Sequence, residues 1–277
     1  MEGIIMKKII CSISLLIGMF LLSGCGNKVA DQSALKNVRS ANTITWAVEG
    51  DKKLFSLIDI RDDKEKGFDI DMAKAITKEI LGPKGQARFT LATSQSRIPL
   101  LKNGNVDAVI ATLTITPERA QVISFTKSYF QAGKSFLVPK GSNIKRPSDL
   151  NGKTVIGIVG DNSVEAIKKV APRAKVVAMQ DYGQAVSALK SHQGDALTSD
   201  NGILYGLAAQ SPDSLEVTGG TYTKEPYGIA VNKNQEPFHR AINRAIDKIQ
   251  QSGEYNRLIK KWFGQVPGFN YKEMYIK

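Results

Sequence analysis

Residues 67–81 read GFDIDMAKAITKEIL, and Gly82-Pro83 follows. Ile70, Ala73, Ile76, Thr77 and Ile80 recur at helical spacing, so the segment predicts a helix that the Gly-Pro pair stops. Upstream, 43–48 (TITWAV) is rich in β-branched and aromatic residues and ends at Gly50, as a strand should. Downstream, 87–92 reads as a second strand, 97–102 as a helix closed by Asn103-Gly104, and 106–112 (VDAVIAT) as a third strand. The rhythm resumes later, with strands at 153–159, 175–178, 195–198 and 227–231. Helices at 163–170, 182–189 and 203–210 alternate with the first three, and a long amphipathic helix at 237–251 follows the last. Such alternation predicts an α/β fold with mostly parallel sheets. The β-α-β-α-β pattern occurs twice, before about residue 130 and after about residue 150, which predicts two lobes.

The 277 residues include 38 Lys+Arg, 26 Asp+Glu and 2 His, for a formal net charge of +12. A hydrophobic content of 42 % and a charged content of 23 % exclude a disordered chain. The positive excess fits either nucleic acid or an anionic membrane surface. Two histidines leave little room for histidine chemistry, and Cys11 and Cys25 cannot form a zinc site of four thiolates.

The first 25 residues decide the compartment. Lys7 and Lys8 precede an apolar run at 9–22, which is shorter than the roughly 20 residues of a membrane span and reads as a secretory signal. Met6-Lys7-Lys8 offers an alternative start. Leu22-Ser23-Gly24-Cys25 resembles the bacterial lipobox, in which the cysteine becomes the lipidated first residue of the mature protein. Residues 1–24 are therefore expected to be removed, Cys25 to carry lipid, and the polar stretch 25–42 to act as a tether. Cys11 would leave with the signal, so no disulfide is expected. An extracytoplasmic, membrane-anchored address argues against nucleic acid.

Residues 111–119 (ATLTITPER) concentrate the polar chemistry. In extended form Thr112, Thr114 and Thr116 share one face. Thr116-Pro117 then reads as a helix N-cap followed by proline at the first helical position. Arg119 in that first turn is a cation where the helix dipole disfavours one. The bland reading is a capped helix with a surface arginine. The functional one is a polar ledge with an arginine for a carboxylate, at the carboxyl end of a strand where open α/β sheets bind ligands.

Four motifs together carry a resemblance: Gly67-Phe68-Asp69-Ile70-Asp71-Met72-Ala73, Thr114-Ile115-Thr116-Pro117-Glu118-Arg119, Glu225-Pro226-Tyr227-Gly228-Ile229-Ala230-Val231 and Lys260-Lys261-Trp262-Phe263-Gly264. Over about residues 43–264 the chain is similar to family 3 bacterial solute-binding proteins, the polar amino-acid receptors of ABC importers. Ser94-Gln95-Ser96-Arg97-Ile98-Pro99-Leu100-Leu101 resembles the branch taking glutamate, aspartate or glutamine. The resemblance implies a two-lobed type II periplasmic-binding-protein fold, with lobe I at 43–132 plus 225–267, lobe II at 133–224 and a C-terminal tail at 268–277. Hinge crossings are expected near 131–135 and 222–226. It further implies that Arg119 holds a ligand α-carboxylate, with Thr112 and Thr114 contacting the same head group, and that Asp200 accepts from the α-ammonium. Asn162 and Ser163 stand at the second-lobe helix start, after Asp161 where the family has glycine. Arg97 is the expected partner of a distal carboxylate, and Lys52 a second one. A monomer that binds an amino acid and docks on a permease is expected, with no cofactor and no metal.

Two other classes remain. A cleft enzyme of related fold, dehydratase-like, would use Glu165 or Asp200 as general acid or base. An extracytoplasmic sensory domain would need a membrane helix after residue 264.

Overall fold

The computed structural model describes residues 33–59 and 64–276. The stretch expected to be a signal, the cysteine expected to carry lipid and the start of the expected tether lie outside the described residues. The first sheet has five strands: β1 (Thr43–Glu49), β5 (Gln86–Ala92), β6 (Ala108–Val109), β7 (Ser124–Ala132) and β13 (Glu225–Val231), in the order β5-β1-β6-β13-β7. β1 runs parallel to β5 and β6, and β13 antiparallel to β6 and β7. The second sheet contains β8 (Lys134–Pro139), β9 (Thr154–Ile158), β10 (Lys175–Met179), β11 (Ala196–Asp200) and β12 (Leu215–Thr218), in the order β10-β9-β11-β8-β12. β9 is parallel to β10 and β11, and β8 antiparallel to β11 and β12. A small antiparallel sheet, β2 (Asp51–Lys52), β3 (Ser56–Asp59) and β4 (Lys64–Lys66), follows β1.

Period-two alternation distributes each large sheet between two cores. In β1, Ile44, Trp46 and Val48 join the main core, whereas Ala47 turns to a second cluster with Leu101, Val109 and Ala230. The main core is capped by α2 (Phe68–Leu81), α8 (Glu236–Gln251) and α9 (Glu254–Phe263), and the second by α3 (Arg97–Lys102). In the second sheet, Leu137, Ile156 and Leu197 face α6 (Tyr182–Lys190) and α7 (Asn201–Ala208). Phe136, Val138 and Val155 face α5 (Ser163–Val170).

Three expectations differ from what forms. Residues 106–112 make only a two-residue strand, because Thr112 adopts φ 48° and turns the chain out of the ladder. The three threonines therefore do not share one extended face. Thr114 makes an isolated bridge to Tyr227, and Thr116 caps α4 (Pro117–Val122) by accepting from Arg119 N. The stretch read as a polar tether contains α1 (Ala34–Ala41), whose Val38 is buried. Ala34 N donates to Gln235 Oε1 at 2.8 Å, and Asn42 Nδ2 to Lys84 O at 2.8 Å. Its inward apolar set is only Ala34, Leu35 and Val38, which composition hides. In the stretch read as a tail, Phe269 is buried and Tyr271–Met274 forms a 3-10 turn.

Val38→Ala should lower the unfolding free energy by about 1–3 kcal/mol, the worth of one buried valine side chain. Urea unfolding should report it as a lower midpoint at unchanged slope. An unmoved midpoint would mean that α1 does not dock.

Candidate functional site

The chain passes between the large sheets twice, at Gly133 and between Thr218 and Glu225. The carboxyl ends of β1, β9 and β11 face one another, where open α/β sheets place ligands. The two halves are in contact. Arg119 Nη2 donates to Gly160 O at 3.3 Å, Tyr182 N to Asp51 Oδ2 at 3.2 Å and Asn162 Nδ2 to Glu225 Oε2 at 2.8 Å. Gly160 has φ 80°, and a Cβ there would lie 2.7 Å from Gln95 N. A side chain at 160 would hold the halves apart.

On the first-sheet side, Glu49 ends β1 and lies between two cations. Arg97 Nη1 donates to Glu49 Oε1 at 2.7 Å and to Ala111 O at 2.5 Å. Lys52 Nζ pairs with Glu49 Oε2 and donates to Thr112 Oγ1 at 2.5 Å. Ser94 Oγ donates to Glu49 Oε1 at 3.1 Å. Glu49, Lys52 and Arg97 are each no more than 2 % exposed. Burying two cations side by side is tolerable only because the Glu49 carboxylate stands between them. The Thr112 turn is pinned from behind, where Thr112 N and Tyr129 OH donate to the two oxygens of Asp69 at 2.9 Å each. Burial pushes the Asp69 carboxyl up to about 7, against those hydrogen bonds.

On the second-sheet side, Lys134 opens β8 and is fully buried. Its Nζ lies 2.8 Å from Asp200 Oδ1 and 3.0 Å from Asp161 Oδ1. Tyr227 OH donates to Asp200 Oδ2 at 2.6 Å, and Ser163 N to Asp161 Oδ1 at 2.7 Å. Burial opposes ionisation of Asp161, but Lys134, Lys52 and the Ser163 N–H together outweigh it and hold that carboxyl well below its usual range. Burial raises Asp200, with Lys134 pulling the other way. Burial also acts against the Lys134 charge, yet Asp161, Asp200 and Glu225 hold its ammonium above the ordinary lysine value. Arg119 Nη1 donates to Thr114 O at 3.0 Å. Beside this network opens a groove of about 750 Å³ whose walls include Arg119, Gly160, Asp161, Asn162 and Glu225.

A family model described as bacterial extracellular solute-binding proteins, family 3, matches residues 44–265. The chain belongs to that family. It is 42 % identical over 273 residues to the "ABC transporter glutamine-binding protein GlnH" of Bacillus subtilis (strain 168), covering 95 % of this chain and 99 % of the relative. It is 41 % identical over 214 residues to the "Glutamine-binding protein" of Geobacillus stearothermophilus, covering 77 % and 81 %. Among solved structures, "an ancestral arginine-binding protein bound to glutamine" is similar with a TM-score of 0.76 at 36 % identity, over 81 % of this chain and 99 % of that one. The fold is the two-lobed type II arrangement of periplasmic amino-acid-binding proteins.

In this solute-binding protein, Thr112, Thr114, Arg119, Lys52 and Arg97 come together on the first-sheet side, and Asp200, Asn162 and Ser163 on the second. Arg97 and Lys52, the expected partners of a distal carboxylate, are both paired with the single carboxylate of Glu49, which leaves that cluster one positive charge in excess. Ser163 Oγ is buried without a hydrogen-bond partner among the described residues, and Asn162 reaches across to Glu225 rather than capping α5 with its side chain. Glu165 is exposed on α5, on the wall of the same groove that Arg119 and Asp161 line. Sequence reasoning missed Glu49 and Lys134. Each left a signal, a glutamate closing a β-branched strand and a lysine opening the apolar run 134–139.

Because Asp69 is raised to about 7 in the fold against an ordinary 3.8, the folded state holds a proton that the unfolded chain releases. Its contribution to stability is fully present below about pH 4 and lost as pH rises towards 7. Asp69→Asn should flatten that fall in a denaturation series across the same window. An unchanged slope would remove Asp69 as its source.

Proposed function

We propose that this chain is the lipid-anchored receptor of an ABC importer and that its ligand is glutamine. The charge balance of the cleft carries the reading. Among the described residues, Lys52, Arg97, Arg119 and Lys134 face Glu49, Asp161, Asp200 and Glu225. A zwitterion with an uncharged tail leaves that balance intact. Glutamate or aspartate would bury one further negative charge in a cleft where cations do not outnumber carboxylates, which is costly in a dry site. The amide tail also matches the Glu49–Lys52 pair, since its N–H2 donates to a carboxylate and its C=O accepts from an ammonium.

In this reading Arg119 grips the α-carboxylate through a charge-assisted fork, Thr112 and Thr114 add contacts to the head group, and Asp200 accepts from the α-ammonium. Lobe I is 43–132 plus 225–267 and lobe II is 133–224, and closure about 131–135 and 222–226 buries the ligand. The closed monomer then docks on the permease, held near it by lipid on Cys25. The names of the two relatives described above support glutamine. One observation favours an acidic ligand instead: Arg97 Nε is buried without a hydrogen-bond partner among the described residues.

Calorimetric titration of the ligand-stripped protein with glutamine, glutamate, aspartate, histidine and arginine tests the proposal. Glutamine should bind at least about tenfold more tightly than glutamate, a difference of about 1.4 kcal/mol. Preference for glutamate would overturn the charge argument. Arg119→Ala should weaken binding by about 30-fold or more, the lower end for one buried charged contact. Glu49→Gln leaves a net positive site and should shift the preference towards glutamate, while lowering stability by about 3–5 kcal/mol through two uncompensated cations.

A further inference from the structure

Lys134 follows the first strand crossing directly, and its fully buried ammonium is shared by two carboxylates, Asp200 at 2.8 Å and Asp161 at 3.0 Å. Asp200 is also the acceptor that the reading above gives to the ligand's ammonium, and the present inference rests on that assignment. The hydroxyl of Tyr227 already occupies Asp200 Oδ2. Oδ1, the oxygen facing Lys134, has more acceptor capacity left for a ligand. It is buried, and beyond the ion pair it has no well-aligned hydrogen bond among the described residues. Two ammonium groups cannot share that oxygen without strong repulsion.

Asp161 resolves the conflict. Its Oδ1 is fixed by Ser163 N at 2.7 Å, and Tyr182 OH stands 3.5 Å from its Oδ2. A carboxylate held this way can keep Lys134 while the lysine gives up Asp200. We propose that Lys134 is a resident counter-cation for Asp200, released to Asp161 when the ligand's ammonium arrives, so that Asp161 is a positioning residue for ligand recognition. The exchange conserves charge: one ammonium enters, another moves by a side-chain rotation, and every carboxylate stays paired. With Lys134 on Asp200, that carboxylate is paired where the two halves meet through Arg119 and Gly160. The neighbouring charges, Arg119 and Glu225, sit at the mouth of this network and need not move.

The test is a double-mutant cycle read by glutamine calorimetry on the mature protein. Asp161→Asn leaves Lys134 only Asp200 to pair with, so it should weaken glutamine binding tenfold or more. Adding Lys134→Met should restore the affinity to within about threefold of the parent or better, because the competitor is gone. A purely structural pair predicts the opposite, a double variant at least as weak as Asp161→Asn. Melting temperatures of all variants check folding, and Asp161→Ser, which can still cap α5, replaces Asp161→Asn if that variant does not fold. An Asp161→Asn affinity within threefold of the parent, or no recovery in the double variant, overturns the inference. If the parent binds another α-amino acid but not glutamine, the glutamine reading fails alone, and the cycle is read with that amino acid. If it binds no α-amino acid, both fail.

Discussion

Glu49 is the group on which the cleft depends. It ends β1, the middle partner of β5 and β6, and both of its oxygens are engaged, one by Arg97 and the other by Lys52. Without it two cations would face each other in a water-poor interior. With it, the side chain of Lys52 is free to brace Thr112 Oγ1, and Arg97 to brace the carbonyl of Ala111. Those contacts hold the chain where it leaves the ladder at the left-handed Thr112. That departure sets the direction of residues 112–119 and therefore where Arg119 stands.

The opposite wall follows the same logic with the signs exchanged. There one cation, Lys134, serves two carboxylates, Asp161 and Asp200. Each wall is thus a charged cluster with one charge in excess, positive on the first and negative on the second, so the two are complementary. Leu54 and Phe55 pack on α7 at Gly206 and Gly202, and at the cleft the walls meet through backbone and polar contact: Arg119 on Gly160, Asn162 on Glu225, and Tyr182 N on Asp51. Such contacts are weak enough individually for the halves to separate, and Gly160 keeps the approach short. A receptor that opens and closes requires walls that are stable apart and complementary together.

Long periodic segments were readable because their apolar faces are continuous. The helix at 68–81 and the one at 163–170 lie where spacing and stop signals put them. Short elements were not. The helix Ala34–Ala41 has only three buried or half-buried apolar positions, and its anchor Gln235 lies 201 residues away. Strands β7 and β8 alternate too irregularly to announce themselves, since their faces pack against both a helix layer and a neighbouring strand. The strand expected at 106–112 shrank because Asp69, on another element, captures Thr112 N.

By itself the sequence determined the α/β alternation, the two-lobed pattern and the family, since these rest on local periodicity and on motifs in order. It also named the polar residues of the cleft by type. Only the tertiary structure decided which of those charges are already satisfied. Arg97 meets Glu49 across 48 residues, and Lys134 meets Asp161 and Asp200 across 27 and 66. A sequence shows that a cation is present, but not whether the protein or a ligand neutralises it, because that depends on distances of a few ångströms between residues far apart in the chain.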